Sequence, residues 1–263
     1  MTKKPKSDYA IQTVNNALRL LEMFEGEERL GVTELSRRLE LHKNNVFRLL
    51  ATLEQAGYIE QCSKDDQYCL GVRCLELGQT YVRSRSLMCR ARPILEQLAT
   101  ELGETVHLGI EQDDQVAHVD GEAPSHAMLT PAIRVGMRRP LHCTALGKAL
   151  LAFASEARRE AFDRDHASVA LEGRTPATLV DRDKLVEELR TVAAQGFALD
   201  LEECERGLVC AAAPVFDASG AVVAALSVSA PTSRVDADGL HRRLIPEIRT
   251  AAAELSRQLG FGG

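Results

Sequence analysis

Residues 31–72, GVTELSRRLELHKNNVFRLLATLEQAGYIEQCSKDDQYCLGV, decide how the rest of the chain is read. Leu35 and Leu39 stand four apart, one face of a short helix over Val32–Leu39, with Thr33 as its expected N-cap. Residues 40–43 make a tight turn. Asn44 is then the expected cap of a second helix running to about Ala56, whose apolar stripe is Val46, Leu49, Leu50 and Leu53. That stripe leaves Asn45, Arg48 and Thr52 on the outer face, with Lys43 and Asn44 at its tip. Gly57 is a natural stop. Residues 58–60 and 67–70 read as paired strands around a turn at 63–66. A helix-turn-helix places the start of its second helix in the major groove, where Asn and Arg suit bidentate base contacts and Lys suits phosphates. The same spacing also describes a small helical core module with a solvated polar face, and spacing alone does not separate the two.

Motif similarity does. The Leu35-x3-Leu39 helix, Leu41-x-Lys43, Val46-x-Arg48-Leu49-Leu50-x2-Leu53, Gly57 and Tyr68-x-Leu70-Gly71 resemble the winged helix-turn-helix of the IclR family of bacterial transcription regulators. The resemblance implies a DNA-reading surface of Arg37, Lys43, Asn44, Asn45 and Arg48, with Lys64 in the wing. Asn44-Asn45 stands where the family often has Ser-Thr, which keeps a capping residue and alters the side chains offered to bases.

The totals bound the rest. A chain of 263 residues suggests two modest domains, and 45 % apolar residues is enough for real cores. The amino-terminal MTKKPKSDYA lacks a signal peptide's apolar segment, and no apolar run approaches a membrane span. Seven cysteines with no C-x2-C pair fit free thiols in a reducing cytoplasm. Net charge is −6, unhelpful for nucleic acid. Residues 1–90 nevertheless carry 14 Lys and Arg against 12 Asp and Glu, whereas residues 91–263 carry 18 against 26. DNA affinity would therefore rest on local cations such as Arg37, Arg38, Lys43 and Arg48, doubled in a dimer.

Outside the opening stretch, residues 1–9 read as a disordered tail. Residues 10–25 read as a helix with Ile11, Val14, Ala17, Leu18, Leu21 and Phe24 on one face, packing under the helix-turn-helix and ended by Gly26. Residues 73–90 read as a linker helix, thin in apolar residues. A helix opens at Arg92-Pro93 and stops at Gly103. Strands are expected at 105–110 and 116–119, another at 127–135 despite Pro131, and two long ones at 207–216 and 221–229 around Asp217-Ala218-Ser219-Gly220. Helices are expected at Ala145–Phe153, 156–164, 181–195 (ended by Gly196) and 238–259. The expected class is α+β: a winged helix-turn-helix over 10–72, the linker helix, and an α/β domain with an antiparallel sheet over 91–263.

Three pieces of that second domain could carry chemistry. In Leu141-His142-Cys143-Thr144-Ala145-Leu146-Gly147, Thr144 can cap the helix, leaving outward N–H groups at Ala145, Leu146 and Gly147 that suit a carboxylate. An ordinary capped helix reads the same way. Asp200 and Glu203 precede Cys210, whose bland reading is a small buried hydrophobe. Ser227 and Ser229 share one strand face, needing either backbone partners or a polar ligand. Adjacent His142 and Cys143 point apart and no H-x3-H exists, so no metal and no cofactor is expected. A cysteine hydrolase using Cys210 with His142 or His107 is the enzyme alternative, without an obvious nucleophile elbow.

LHCTALGKALLA, GFALDLEECERGLVCAAAPVFD and VVAALSVSAPTSR resemble the GAF-like effector-binding domain of the same IclR family, the second most specifically, with Ala211 where that signature usually has a larger aliphatic residue. The resemblance implies a non-enzymatic regulator that binds operator DNA as a dimer or dimer of dimers and responds to a small organic acid. The acid's carboxylate would meet the backbone at Ala145 and Leu146, with Asp200, Cys210, Ser227 and Ser229 as a polar wall. Met128, Arg139 and Leu208 fall where the family sets effector specificity. Arg139 replaces a leucine of some members, which suggests a second anionic or phenolic group on the effector.

Overall fold

In a computed structural model, residues 11–62, 66–84, 86–124, 135–165 and 170–262 are described. The chain divides into two compact units, residues 1–84 and 85–263. The expected tail at 1–9, the strand at 127–135 except Val135, Lys64 and Met128 lie outside the described residues. Val135 itself is in a turn.

In the first unit, α1 (Gln12–Glu22) packs through Ala17, Leu20, Leu21 and the following Phe24. Ile11, Val14 and Leu18, expected on the packed face, are exposed at 67 %, 53 % and 54 %. The period was right and the face rotated, because Leu20 at zero exposure, absent from the expected stripe, takes the centre of the contact. A two-residue strand β1 (Leu30–Gly31) leads into α2 (Val32–Leu39), whose N-cap is Gly31 rather than Thr33. Leu35 and Leu39 are buried as expected. Glu40 turns left-handed at φ 55°, and the Leu41 N–H returns to the Ser36 carbonyl at 3.1 Å.

Helix α3 (Lys43–Gln55) begins one residue before its expected cap. The His42 carbonyl accepts from the N–H groups of Asn45 and Val46, so His42 is the boundary residue and Asn44 lies inside the first turn. At the other end Gly57, at φ 78°, lets the Tyr58 N–H reach the Leu53 carbonyl and the Gly57 N–H the Glu54 carbonyl. That double bond is why a glycine ends this helix. The wing is β2 (Ile59–Gln61) and β3 (Gln67–Leu70), with β1 on the outside of β3. Tyr58 stays out of the strand. Gly71 has no alternative residue: a Cβ there would meet the Gly57 carbonyl oxygen at 2.3 Å. Helix α4 (Val72–Ser84) exposes Val72, Leu75 and Leu77.

The second unit starts with α5 (Ser86–Leu102), six residues earlier than expected. Met88 and Ala91 are buried in the core, and this burial carries the helix back past Arg92 so that Pro93 sits inside it. Strands β4 (Thr105–Gln112), β5 (Gln115–Glu122), β6 (Arg138–Pro140), β7 (Ala198–Leu201), β8 (Leu208–Phe216) and β9 (Val222–Pro231) form one antiparallel sheet, ordered β6-β5-β4-β9-β8-β7. The edge strands β6 and β7 are only three and four residues long, and they pair with β5 and β8. Helices α6 (Ala145–Phe153), α7 (Glu156–Asp165) and α8 (Arg182–Gln195) connect β6 to β7. Asp181 caps α8 on the Lys184 N–H, and Gly196 ends it at φ 81°.

The carboxy-terminal helix is not continuous. Ala237–Gly239 (α9) gives way to a π-helical turn, Leu240–Leu244, before α10 (Ile245–Gln258). Pro246 cannot donate into a continuous ladder, and the wider turn ahead of it absorbs the mismatch. The sheet separates two apolar layers. Val209, Ala211, Ala213, Val215, Leu226 and Val228 face α5 and α10. Cys210, Ala212 and Ala225 face α6 and α8. Alternation along β8 and β9 thus assigns the polar residues Cys210, Ser227 and Ser229 to the α6 side.

Candidate functional site

On α3 the side chains divide as the periodicity requires. Val46, Leu49 and Leu50 are buried, while Lys43, Asn44, Asn45 and Arg48 are exposed along one surface. Thr52 bonds its hydroxyl to the Arg48 carbonyl at 2.8 Å, so its oxygen is engaged within the helix. Arg37 and Arg38 are tied to carboxylates: Arg37 to Glu34 at 2.6 Å, and Arg38 to both Glu34 at 2.6 Å and Glu27 at 2.9 Å. Hydrogen bonds from Arg37 and Arg38 hold the Glu34 carboxyl down to about 2. Lys43 and Arg48 take part in no ion pair among the described residues and supply the unmatched positive charge of this surface. Phe47, 58 % exposed between Asn45 and Arg48, was not singled out by sequence reasoning, which considered only the polar residues of this face. Phenylalanine on such a surface suits a thymine methyl group.

The second unit contains a cavity of about 430 Å³. Arg139, Ala145, Leu146, Asp200, Leu208, Cys210, Ser227 and Ser229, eight of the nine residues singled out in this unit, all line it. Strand register explains the convergence. Asp200 pairs with Cys210, Cys210 with Ser229, and Ser229 with Thr105, one straight row across four strands. Directly opposed residues project to the same face. One pleat further on, Ser227 pairs with His107. The Cys210 thiol donates to the Ser229 hydroxyl at 3.1 Å.

Helix α6 supplies the opposite wall. Thr144 Oγ1 accepts the Gly147 N–H at 3.1 Å and donates to the Pro140 carbonyl at 2.9 Å. The cap therefore consumes one of the three amides expected to point outward. Those of Ala145 and Leu146 remain, at a helix N-terminus that favours an anion. Gly147 is dictated by packing, since a Cβ there would lie 2.3 Å from the Leu141 carbonyl oxygen. Half-buried Arg139, on edge strand β6, gives this wall a guanidinium.

Electrostatics distinguish the acidic groups. Burial, and secondarily the Cys204 sulfur, raises the Asp200 carboxyl to about 7, although the backbone N–H groups of Glu203 and Cys204 both donate to its Oδ1. Near neutrality Asp200 can thus present either a donor or an acceptor. Glu203 belongs to a different cluster: its Oε1 accepts from fully buried Lys148 at 2.6 Å, and Lys148 also reaches Glu188 at 3.0 Å. Burial raises the Glu203 carboxyl and Lys148 opposes that rise.

His107 and His118 also line the cavity, their rings in a T-shaped contact at 5.0 Å. Sequence reasoning met His107 only as a hydrolase partner and His118 not at all. The pair exists because β4 and β5 are adjacent, which local sequence does not reveal. Cys210 and His142 do not make the expected hydrolase pair. The Cys210 thiol bonds to Ser229, burial pushes it well above the usual thiol range, and His142 Nε2 is engaged with the Glu172 carbonyl oxygen at 3.0 Å. Among the described residues no group of three or more His, Cys, Asp and Glu could hold a metal ion, and no helix is long and apolar enough to cross a membrane.

Comparison with known proteins gives both parts a family. Residues 13–63 match the IclR helix-turn-helix domain, and residues 79–257 match the bacterial transcriptional regulator IclR C-terminal domain. The HTH-type transcriptional regulator XynR of Escherichia coli is 36 % identical over 252 residues, covering 95 % of this chain and 98 % of XynR. The glycerol operon regulatory protein of Streptomyces coelicolor is 33 % identical, covering 96 % of this chain and 98 % of that protein. The crystal structure of an IclR-type regulator from Alicyclobacillus acidocaldarius has a TM-score of 0.85 at 26 % identity, covering 96 % of this chain and all of that one. These relatives are transcriptional regulators rather than enzymes. The chain belongs to the IclR family: it is a transcriptional regulator that joins a DNA-binding helix-turn-helix to an effector domain.

Proposed function

We propose that this regulator binds operator DNA as a homo-oligomer and responds to a small organic acid held in the 430 Å³ cavity, controlling a catabolic operon. One observation carries the reading. Ala145 and Leu146, at the α6 N-terminus and not used by the Thr144 cap, line the same cavity as the buried row Asp200, Cys210 and Ser229. A carboxylate suits the amides, and a hydroxyl or carbonyl suits the row. Arg139 offers charge to a second anionic or phenolic group. In the first unit, Asn45 and Arg48 would read base edges while Lys43, Asn44 and Arg37 would contact phosphate, with Lys64 in the wing. Residues 10–72, 73–90 and 91–263 would serve as reading head, linker and sensor. The glycerol operon relative supports a catabolic target.

Such a device needs the effector to prefer one arrangement of the oligomer over another. A thermal-shift screen of small mono- and dicarboxylic acids tests the ligand class. A true effector at a hundredfold excess over Kd stabilises by about 2.7 kcal/mol. Calorimetry on the best acid with Arg139→Leu follows, and unchanged affinity and selectivity would remove Arg139 from the site. An operator shift retained by Arg48→Ala would remove α3 from the DNA interface.

A further inference from the structure

A fully buried cation stands behind the cavity. Lys148, on α6 one turn past the cap Thr144, has a side chain only 1 % exposed. Its ammonium donates to Glu203 Oε1 at 2.6 Å and to Glu188 Oε1, on α8, at 3.0 Å. Neither Lys148 nor Glu203 lines the cavity, but their neighbours do: Thr144, Ala145 and Leu146 from α6, and Asp200 and residues 204–208 from the other side. Glu203 is joined to that second group through its backbone, where its N–H donates to Asp200 Oδ1 at 2.8 Å. Glu202 beside it turns left-handed at φ 62°, and its carboxylate accepts the Gly207 N–H at 2.7 Å. Thr175 and Thr178 donate to the Glu202 and Glu203 carbonyls, each at 2.6 Å, which fixes the loop to the segment before α8. Among the described residues, Lys148 is the side chain that fixes it to α6.

Such a pair is a poor choice for stability alone. Burying two charges costs much of what their attraction returns, and an apolar pair of similar volume serves a core as well or better. Glu203 Oε2 is, moreover, buried without a hydrogen bond among the described residues. What a charge-assisted hydrogen bond supplies, and an apolar contact does not, is a fixed length and direction.

We propose that Lys148 and Glu203 are positioning residues of the effector site: they set where the β7–β8 loop, and Asp200 with it, stands against the N-terminus of α6. The proposal rests on the reading of the cavity as the effector site. The chain of contacts runs from α6 through the Lys148 ammonium to the Glu203 carboxylate, and from the Glu203 N–H to Asp200 at the end of the polar row. A ligand carboxylate at Ala145 and Leu146 and a ligand hydroxyl at Asp200 thus meet groups whose separation is set by a bond that touches neither.

The experiment uses the full reduced chain and two small alkylating reagents, neutral iodoacetamide and the carboxylate iodoacetate, with peptide mass spectrometry following each cysteine. Cys204 lies in the loop, lines the cavity and is partly exposed, whereas Cys89 is exposed outside the cavity and buried Cys143 reports unfolding. Glu203→Leu removes the anchor and leaves Lys148 paired with Glu188, so no buried cation is stranded. Lys148→Met combined with Glu203→Leu removes both charges. In each variant Cys204 should react with iodoacetamide several-fold faster than in the parent, with Cys89 unchanged and Cys143 still protected. Glu203→Gln keeps an acceptor oxygen for Lys148 and should retain the parental rate. In the parent, the iodoacetate-to-iodoacetamide rate ratio should be higher at Cys204 than at Cys89, and this excess should disappear in Glu203→Leu. No excess in the parent would count against the acid-effector reading and leave the iodoacetamide rates to decide the positioning role. An unchanged Cys204 rate in both apolar variants, a Glu203→Gln rate as fast as Glu203→Leu, or Cys143 becoming reactive in both apolar variants would overturn the proposal.

Discussion

Asp200→Asn is the substitution whose effect follows most directly from the structure. The carboxyl is raised from 3.8 to about 7 in the folded chain, chiefly by burial. Between those values the native state holds a proton that the unfolded state has released, so stability falls as pH rises through that window. Below 3.8 both states are protonated, and above about 7 both are ionised, so the slope vanishes at either end. Each pH unit inside the window is worth about 1.4 kcal/mol, which makes the burden near pH 8 about 4 kcal/mol. Asparagine keeps an oxygen for the Glu203 and Cys204 N–H groups and carries no charge. The variant should match the parent most nearly at pH 4 and be more stable at pH 8. Its advantage should grow by about 3 kcal/mol between pH 5 and pH 8. Urea unfolding followed by far-ultraviolet circular dichroism measures this. All four tyrosines lie in the first unit, so their fluorescence transition is an internal control that should not move. A parallel pH dependence in the two proteins would refute the raised Asp200 carboxyl, and with it the view that Asp200 enters the cavity as a neutral donor below neutrality.

Three further outcomes are expected. Gly147→Ala should destabilise the second unit by about 1–3 kcal/mol, read by circular dichroism in urea, because its methyl group meets the Leu141 carbonyl oxygen. Lys148→Met should cost about 3–5 kcal/mol at pH 8 and less at pH 5, where Glu203, deprived of its cation, can take up a proton instead. Equal losses at both pH values would show that the pair is not the cause. Phe47→Ala should leave the tyrosine-monitored stability within about 0.5 kcal/mol, since the ring is exposed. It should weaken operator binding by about 1 kcal/mol and relax a thymine preference at one position, measured by competition with single-base operator variants.

The sequence alone determined the two helices of the reading head, their buried and exposed faces, the capped helix α6 and the β8–β9 hairpin. Each rests on neighbours three, four or two residues apart. Local periodicity cannot choose between equivalent rotations, which is why α1 turned Leu20 inward and Ile11 outward. Nor does it resolve edge strands as short as β6 and β7, three and four residues long. Cap positions slipped by two residues, from Asn44 to His42 and from Thr33 to Gly31, because backbone bonds rather than side chains set those boundaries.

The cavity wall divides in the same way. Asp200, Cys210, Ser227 and Ser229 were legible as polar residues in apolar strands, a pattern needing partners wherever it occurs. Only the tertiary structure decided that Asp200, Cys210 and Ser229 form one row, and that His107 and His118 join them around the cavity. Register between distant strands is a cooperative property of the whole sheet, set by which faces α5, α10, α6 and α8 cover, and no short stretch of chain contains it.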